Sequence, residues 1–128
     1  MTGTVKRFSR SVATGVHNSK ILGVRAGDPT DHRFTGVWGV VVQGRIFVRS
    51  WTLKSGGWYR TFLENPIGTM QVGDRQLRIR AVPVRSERVR DAVERAYAEK
   101  YSTKASAKYV RGFRSPRRRE ATIELRPR

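Results

Sequence analysis

Hydrophobic and polar positions alternate most regularly in the middle of the chain. Val37–Val42 and Arg45–Trp51 are runs of β-branched and aromatic residues joined by Gln43-Gly44. A two-residue connection ending in glycine predicts a hairpin, because glycine accepts the positive φ that such a turn demands. In the second strand the two-residue period puts Phe47, Arg49 and Trp51 on one face and Ile46, Val48 and Ser50 on the other. Residues 67–72 and 75–84 repeat the pattern around Gly73-Asp74, with Leu77, Ile79 and Ala81 alternating with Arg78, Arg80 and Val82. Residues 19–26 predict an earlier strand and 121–125 a last short one. Between them, residues 27–36 (GDPTDHRFTG) read as an exposed loop.

Two segments carry helical spacing instead. Over residues 87–101, Val89, Ala92, Val93, Ala96 and Tyr97 make one apolar stripe, Ser86 can cap the start, and Glu87 suits the positive end of the dipole. Residues 58–64 predict a short helix that stops before Asn65-Pro66, since the residue before a proline is pushed out of the α region. Residues 1–18 show no clear periodicity and read as a poorly ordered lead-in, leaving residues 19–128 as a single domain. Strands dominate and one long helix comes late. That order predicts a mainly β, α+β domain built as a small barrel-like sheet.

The chain of 128 residues is 38% apolar, enough for one core and short for two. No apolar run approaches the roughly 20 residues needed to span a bilayer. None follows Lys6, Arg7 and Arg10 as a secretory leader requires, so a cytoplasmic protein without a membrane partner is expected. Having no cysteine, the chain has no disulfides, thiolate metal sites or cysteine nucleophiles. Twenty-seven Lys and Arg against ten acids give a net charge of +17, which attracts polyanions such as nucleic acid or phosphorylated cofactors. A solvated, arginine-rich surface produces the same number.

Candidate chemistry is sparse. His17 and His32 are fifteen residues apart with no second ligand at metal spacing, and Asp28 and Asp31 beside His32 are ordinary loop residues, so no metal site is expected. No GxSxG is present, and Glu64, Glu87, Asp91 and Glu94 fall on helices as solvated carboxylates. Any reaction would therefore be carried by a cofactor. "SGGWYR" sets two glycines before a helix start, with Arg49, Ser50, Lys54 and Arg60 near in sequence, a composition suited to holding a phosphate. The competing reading is a plain turn and an amphipathic helix with Trp58 and Phe62 in the core. "RGFRSPRRR" sets Arg111, Arg114, Arg117, Arg118 and Arg119 around Phe113, which suits a nucleic-acid or other polyanion partner, with Arg75, Arg78 and Arg80 as further contacts. A solvated loop is the alternative there.

The ordered set of Trp38, Phe47-Val48-Arg49-Ser50, Trp58-Tyr59-Arg60, Ala96-Tyr97, Lys100-Tyr101, Thr122, Leu125 and Pro127-Arg128 resembles a bacterial family called domain of unknown function 2255. That family looks like a member of the flavin-binding split-barrel group, beside pyridoxamine-phosphate oxidases and deazaflavin-dependent nitroreductases. "GGWYRTFLENP" is similar to the "WY-x-N-L-x-x-NP" segment of the nitroreductase branch, with Thr61 where the relatives have asparagine. The resemblance implies a split β-barrel, a homodimer, a bound FMN or deazaflavin, and oxidoreductase chemistry. It points to Arg49, Ser50, Lys54, Trp58 and Arg60 as cofactor contacts.

Overall fold

Gln43 and Gly44 take φ of 52° and 75°, so both centre residues of the middle turn are left-handed and the hairpin twist is the favoured one. The strands it joins are β3 (Gly39–Val42) and β4 (Arg45–Arg49). The computed structural model describes residues 7–27 and 33–128. In chain order these also form α1 (Arg10–Asn18), β1 (Leu22–Ala26), β2 (Thr35–Val37), α2 (Trp58–Glu64), β5 (Ile67–Val72), β6 (Arg75–Pro83), α3 (Glu87–Lys100), α4 (Ala107–Gly112), α5 (Pro116–Glu120) and β7 (Thr122–Pro127).

Seven strands form one antiparallel sheet in the order β2-β1-β5-β6-β7-β4-β3. Its two edges, β2 and β3, are separated in sequence by Trp38 alone. One residue cannot cross a flat seven-stranded sheet, so the sheet curls until its edges nearly meet. The result is an α+β fold around a nearly closed barrel.

Alternation divides the side chains between two apolar clusters. Ile46 and Val48 of β4, with Ile123 and Leu125 of β7, point into the barrel beside Leu22, Val24, Met70 and Ile79. Phe47 points outward and is covered, with Val40, by Val93 and Tyr97 of α3, by Tyr101 at its C-cap, and by Val110 and Phe113 around α4. Both faces of β4 are therefore buried, which explains its apolar and aromatic composition.

Several elements depart from what the sequence pattern predicts. The poorly ordered lead-in over residues 1–18 becomes helix α1 from Arg10 onward; residues 1–6 lie outside the described residues. Valine, threonine and glycine give α1 low intrinsic propensity, but Ser9 caps it and Val12, Ala13 and Val16 are buried against the barrel. The arginine-rich stretch 111–119, for which a solvated loop is one reading, holds the end of α4 and most of α5 around a short turn. The expected strand through Trp51 stops at Arg49, and the loop expected over 27–36 contains β2 from Thr35. Asp28, Asp31 and His32 lie outside the described residues. Among the described residues no cluster of metal-ligating side chains occurs, and no helix is long and apolar enough to cross a membrane.

Lys100 ties this architecture together in a pH-dependent way. Its ammonium donates to the carbonyls of Val16 (2.8 Å) and Gly39 (2.6 Å), joining α3 to α1 and β3. Burial pushes its pKa down from 10.5 to about 8. The unfolded chain then binds more protons than the folded one between those values, so stability should rise with pH through that window. Burial also raises Tyr97 and Tyr101, the latter to about 12. Those tyrosines reverse the trend above about pH 10, where their unfolded counterparts ionise. From pH 8 to 10 the expected gain is about 1 kcal/mol, discounted because solvent screens a half-buried amine. Urea melts across that range should show the rise in the native chain and its loss in Lys100→Met; equal slopes would assign it elsewhere.

Candidate functional site

Beyond β4 the chain leaves the sheet, and three exposed apolar side chains collect around one opening. Ile21 is 49% exposed, and Trp51 and Tyr109 are 41% each. They border an open cleft of about 420 Å³ walled also by Trp38, Trp58 and Phe113, with Thr35, Gly36, Val37, Arg49 and Thr52 completing the lining. The walls come from five places: the residue before β1, the β2–β3 seam, the chain leaving β4, the first residue of α2, and α4 with its cap. Aromatic edges set their angles. Trp51 meets Tyr109 and Phe113 edge-on at 5.3 and 5.7 Å, and Trp38 meets Tyr109 at 5.9 Å while stacking on Tyr101 at 4.1 Å.

Gly112 makes room for this wall. A Cβ there would run into the Trp51 ring. The Arg118 guanidinium lies 3.7 Å from the Trp51 ring centroid and donates to the Trp51 carbonyl at 3.0 Å. Trp51 is thus held upright at the rim by a stacked cation and a missing side chain.

Arg49 reaches the cleft, but its guanidinium is engaged by the protein. Nε donates to Thr122 Oγ1 (2.8 Å), Nη1 to Glu94 Oε1 (3.2 Å) and the Phe113 carbonyl (2.9 Å), and Nη2 to the Arg90 carbonyl (3.1 Å). Burial pulls its pKa below the ordinary value, against the opposing influence of Tyr97 and Glu94. Glu94 is shared with Arg119, which also binds Glu87 and Asp91; those three carboxylates raise the Arg119 pKa. Ser50 is fully buried and donates to the Thr52 carbonyl. Exposed Arg60 donates to the Leu53 carbonyl, and exposed Lys54 lies in the loop before α2. Of the five residues marked as cofactor contacts, the cleft brings together Arg49 and Trp58.

A second, smaller pocket adjoins the first. It has a volume of about 130 Å³, shares Thr35 and Trp58 with the cleft, and is lined by Arg25, Arg33, Gly56 and Thr61 with Val24 and Ala26. Gly56 turns the chain there with φ of 83°, a conformation that favours glycine. Arg25 lies over the Phe34 ring at 4.1 Å, and its buried Nε has no hydrogen-bond partner among the described residues. Sequence reading missed both arginines. The available signal was Arg25 between Val24 and Ala26, a lone cation alternating with buried strand positions.

The arginine cluster is divided by function. Arg118 and Arg119 are engaged within the protein as described, whereas Arg111, Arg114 and Arg117 are exposed on and beside α4 and α5.

Residues 16–125 match the family model described as "uncharacterized protein conserved in bacteria (DUF2255)". Among solved structures the chain is similar to the conserved hypothetical protein Rv2991 from Mycobacterium tuberculosis. The two share 16% identity and a TM-score of 0.62 over 98% of this chain and 83% of that one, a likeness of fold alone. No curated protein matches the chain.

Proposed function

The chain belongs to the DUF2255 family of uncharacterized bacterial proteins, and on that footing we propose that it is a flavin-binding split-barrel protein, an oxidoreductase whose cleft holds the ring of a flavin or deazaflavin nucleotide. The observation that supports this reading is the cleft itself: three tryptophans, a tyrosine and a phenylalanine around about 420 Å³ of open space. That volume falls in the usual range for small-molecule sites, and exposed aromatic clusters on a soluble protein mark binding surfaces. The donor set fits a flat, largely apolar ring with a charged tail, since aromatic walls adjoin a small pocket lined by two arginines.

When bound, such a ring supplies hydride or electron transfer. Trp51, Trp58 and Tyr109 wall the ring and exclude water. No carboxylate, histidine or lysine lines the cleft among the described residues, so the chain's own proton traffic falls to the hydroxyls of Tyr109, Thr35 and Thr52.

The test is a titration of intrinsic tryptophan fluorescence with FMN and with the deazaflavin coenzyme, paired with melting curves. Saturable quenching and a raised Tm with at least one of them are expected. Gly112→Ala, which drives Trp51 from the wall, should weaken that binding about tenfold, or ~1.4 kcal/mol, with little change in the free protein's Tm. If neither ligand quenches or stabilises, the proposal fails.

A second reading rests on exposed Arg111, Arg114 and Arg117 beside Tyr109 and Trp51. Single-stranded nucleic acid could stack a base in the cleft and set phosphates on these arginines. Labelled oligonucleotides added to the same titration separate the two: this reading requires steeply salt-dependent binding that FMN does not displace.

A further inference from the structure

We propose that the small pocket behind Trp58 is an anion subsite, built by Arg25 and Arg33 to hold the phosphate monoester of a ligand whose ring lies in the cleft. This inference rests on the ring-binding reading for its ligand, but its geometry stands separately. The pocket and the cleft share Thr35 and Trp58, so the two spaces abut along those side chains and one ligand can span both. Two arginines line about 130 Å³, room for one tetrahedral anion, and no carboxylate lines it among the described residues. The buried Arg25 Nε donor lacks a partner among the described residues. A buried charged donor left unpaired is costly, and a phosphate oxygen is the acceptor that a guanidinium edge fits best. Stacking on Phe34 fixes the Arg25 plane while leaving its N–H edge for such an acceptor.

The proposal moves the charge recognition away from the strand end and helix start. Arg49 already satisfies four acceptors, and Arg60 and Lys54 are exposed outside both pockets. Arg25 and Arg33 come from the chain before the middle hairpin, on the far side of Trp58.

The experiment compares two ligands that differ only by the phosphate, FMN and riboflavin. The native chain should bind the phosphorylated member at least tenfold more tightly. Arg25→Met and Arg33→Met should each remove most of that preference while leaving riboflavin affinity unchanged. Equal affinity for FMN and riboflavin in the native chain would overturn the subsite, as would full preference retained in both variants. Should no ring bind at all, the ring reading fails and inorganic phosphate becomes the probe. Phosphate must then raise the Tm of the native chain above that in chloride of equal ionic strength, and do so less in Arg25→Met; equal shifts overturn the subsite. Circular dichroism checks both variants, and Arg33→Met decides the matter if Arg25→Met does not fold.

Discussion

Arg49→Met is expected to lower stability by about 3 to 5 kcal/mol, the range typical of removing one partner from a buried ionic network. For a chain of this size that corresponds to a fall in Tm of roughly 10 to 20 °C. Arg49 is 1% exposed, and its guanidinium ties β4 to three other parts of the fold: Thr122 on β7, Glu94 and the Arg90 carbonyl on α3, and the Phe113 carbonyl after α4. Methionine fills the space of the stem but removes the buried donor from Thr122 Oγ1 and the Phe113 carbonyl, and leaves Glu94 with Arg119 as its one cation among the described residues. Lysine should not rescue the loss, because a single ammonium cannot reach a planar array of acceptors. Thermal melts followed by circular dichroism decide the point. A loss below about 1 kcal/mol, combined with a large loss of FMN affinity, would make Arg49 a ligand contact rather than a structural hub.

Gly68→Ala should be the second most damaging change described, costing about 3 kcal/mol and roughly 10 °C in Tm. Gly68 pairs with Ala26 across β5 and β1. A Cβ at this position would overlap the Arg25 carbonyl oxygen, crowd the Ala26 Cα, and meet the Phe62 ring of α2. The first two are backbone atoms and cannot swing aside, unlike the Trp51 ring beside Gly112. Relief would require the β1–β5 ladder to separate where Arg25 is held. A melt within 2 °C of the native chain would show that the strands are farther apart than described.

Strong local rules made some parts of this fold readable. Gln43-Gly44 and Gly73-Asp74 were visible as turns because each sits between β-branched runs, and the structure gives Gly73 its positive φ of 61°. Ser86 caps α3 by accepting from the Val89 N–H at 3.2 Å, as its position before the apolar stripe implied. Helix α1 was hidden because burial, not propensity, supports it. α4 and α5, at six and five residues, are too short for helical periodicity to register. The break at Trp38 was invisible for another reason: barrel closure decides it, and no window of neighbouring residues contains both edges of the sheet.

Site residues followed the same division. Arg49 and Trp58 drew attention because an arginine among aromatics and an aromatic after two glycines are local oddities. Tyr109, Phe113, Thr35, Arg25 and Arg33 enter the two pockets only through folding, from segments far apart in sequence. Alternation placed Arg49 on the same face of β4 as Phe47, but could not tell that α3 and α4 would cover that face.

The last strand, β7, lies in the middle of the sheet between β6 and β4. Arg45 on β4 meets Glu124 on β7 across 79 positions of sequence. At ribosomal speeds, that interval takes roughly 4 to 16 s to synthesise. For that time one edge of β4 and one edge of β6 wait for the same partner, while β1 and β5 already possess theirs. The newborn chain therefore carries an open, valine-rich hairpin until β7 is made, and nascent-chain chaperones have a defined interval in which to shield it.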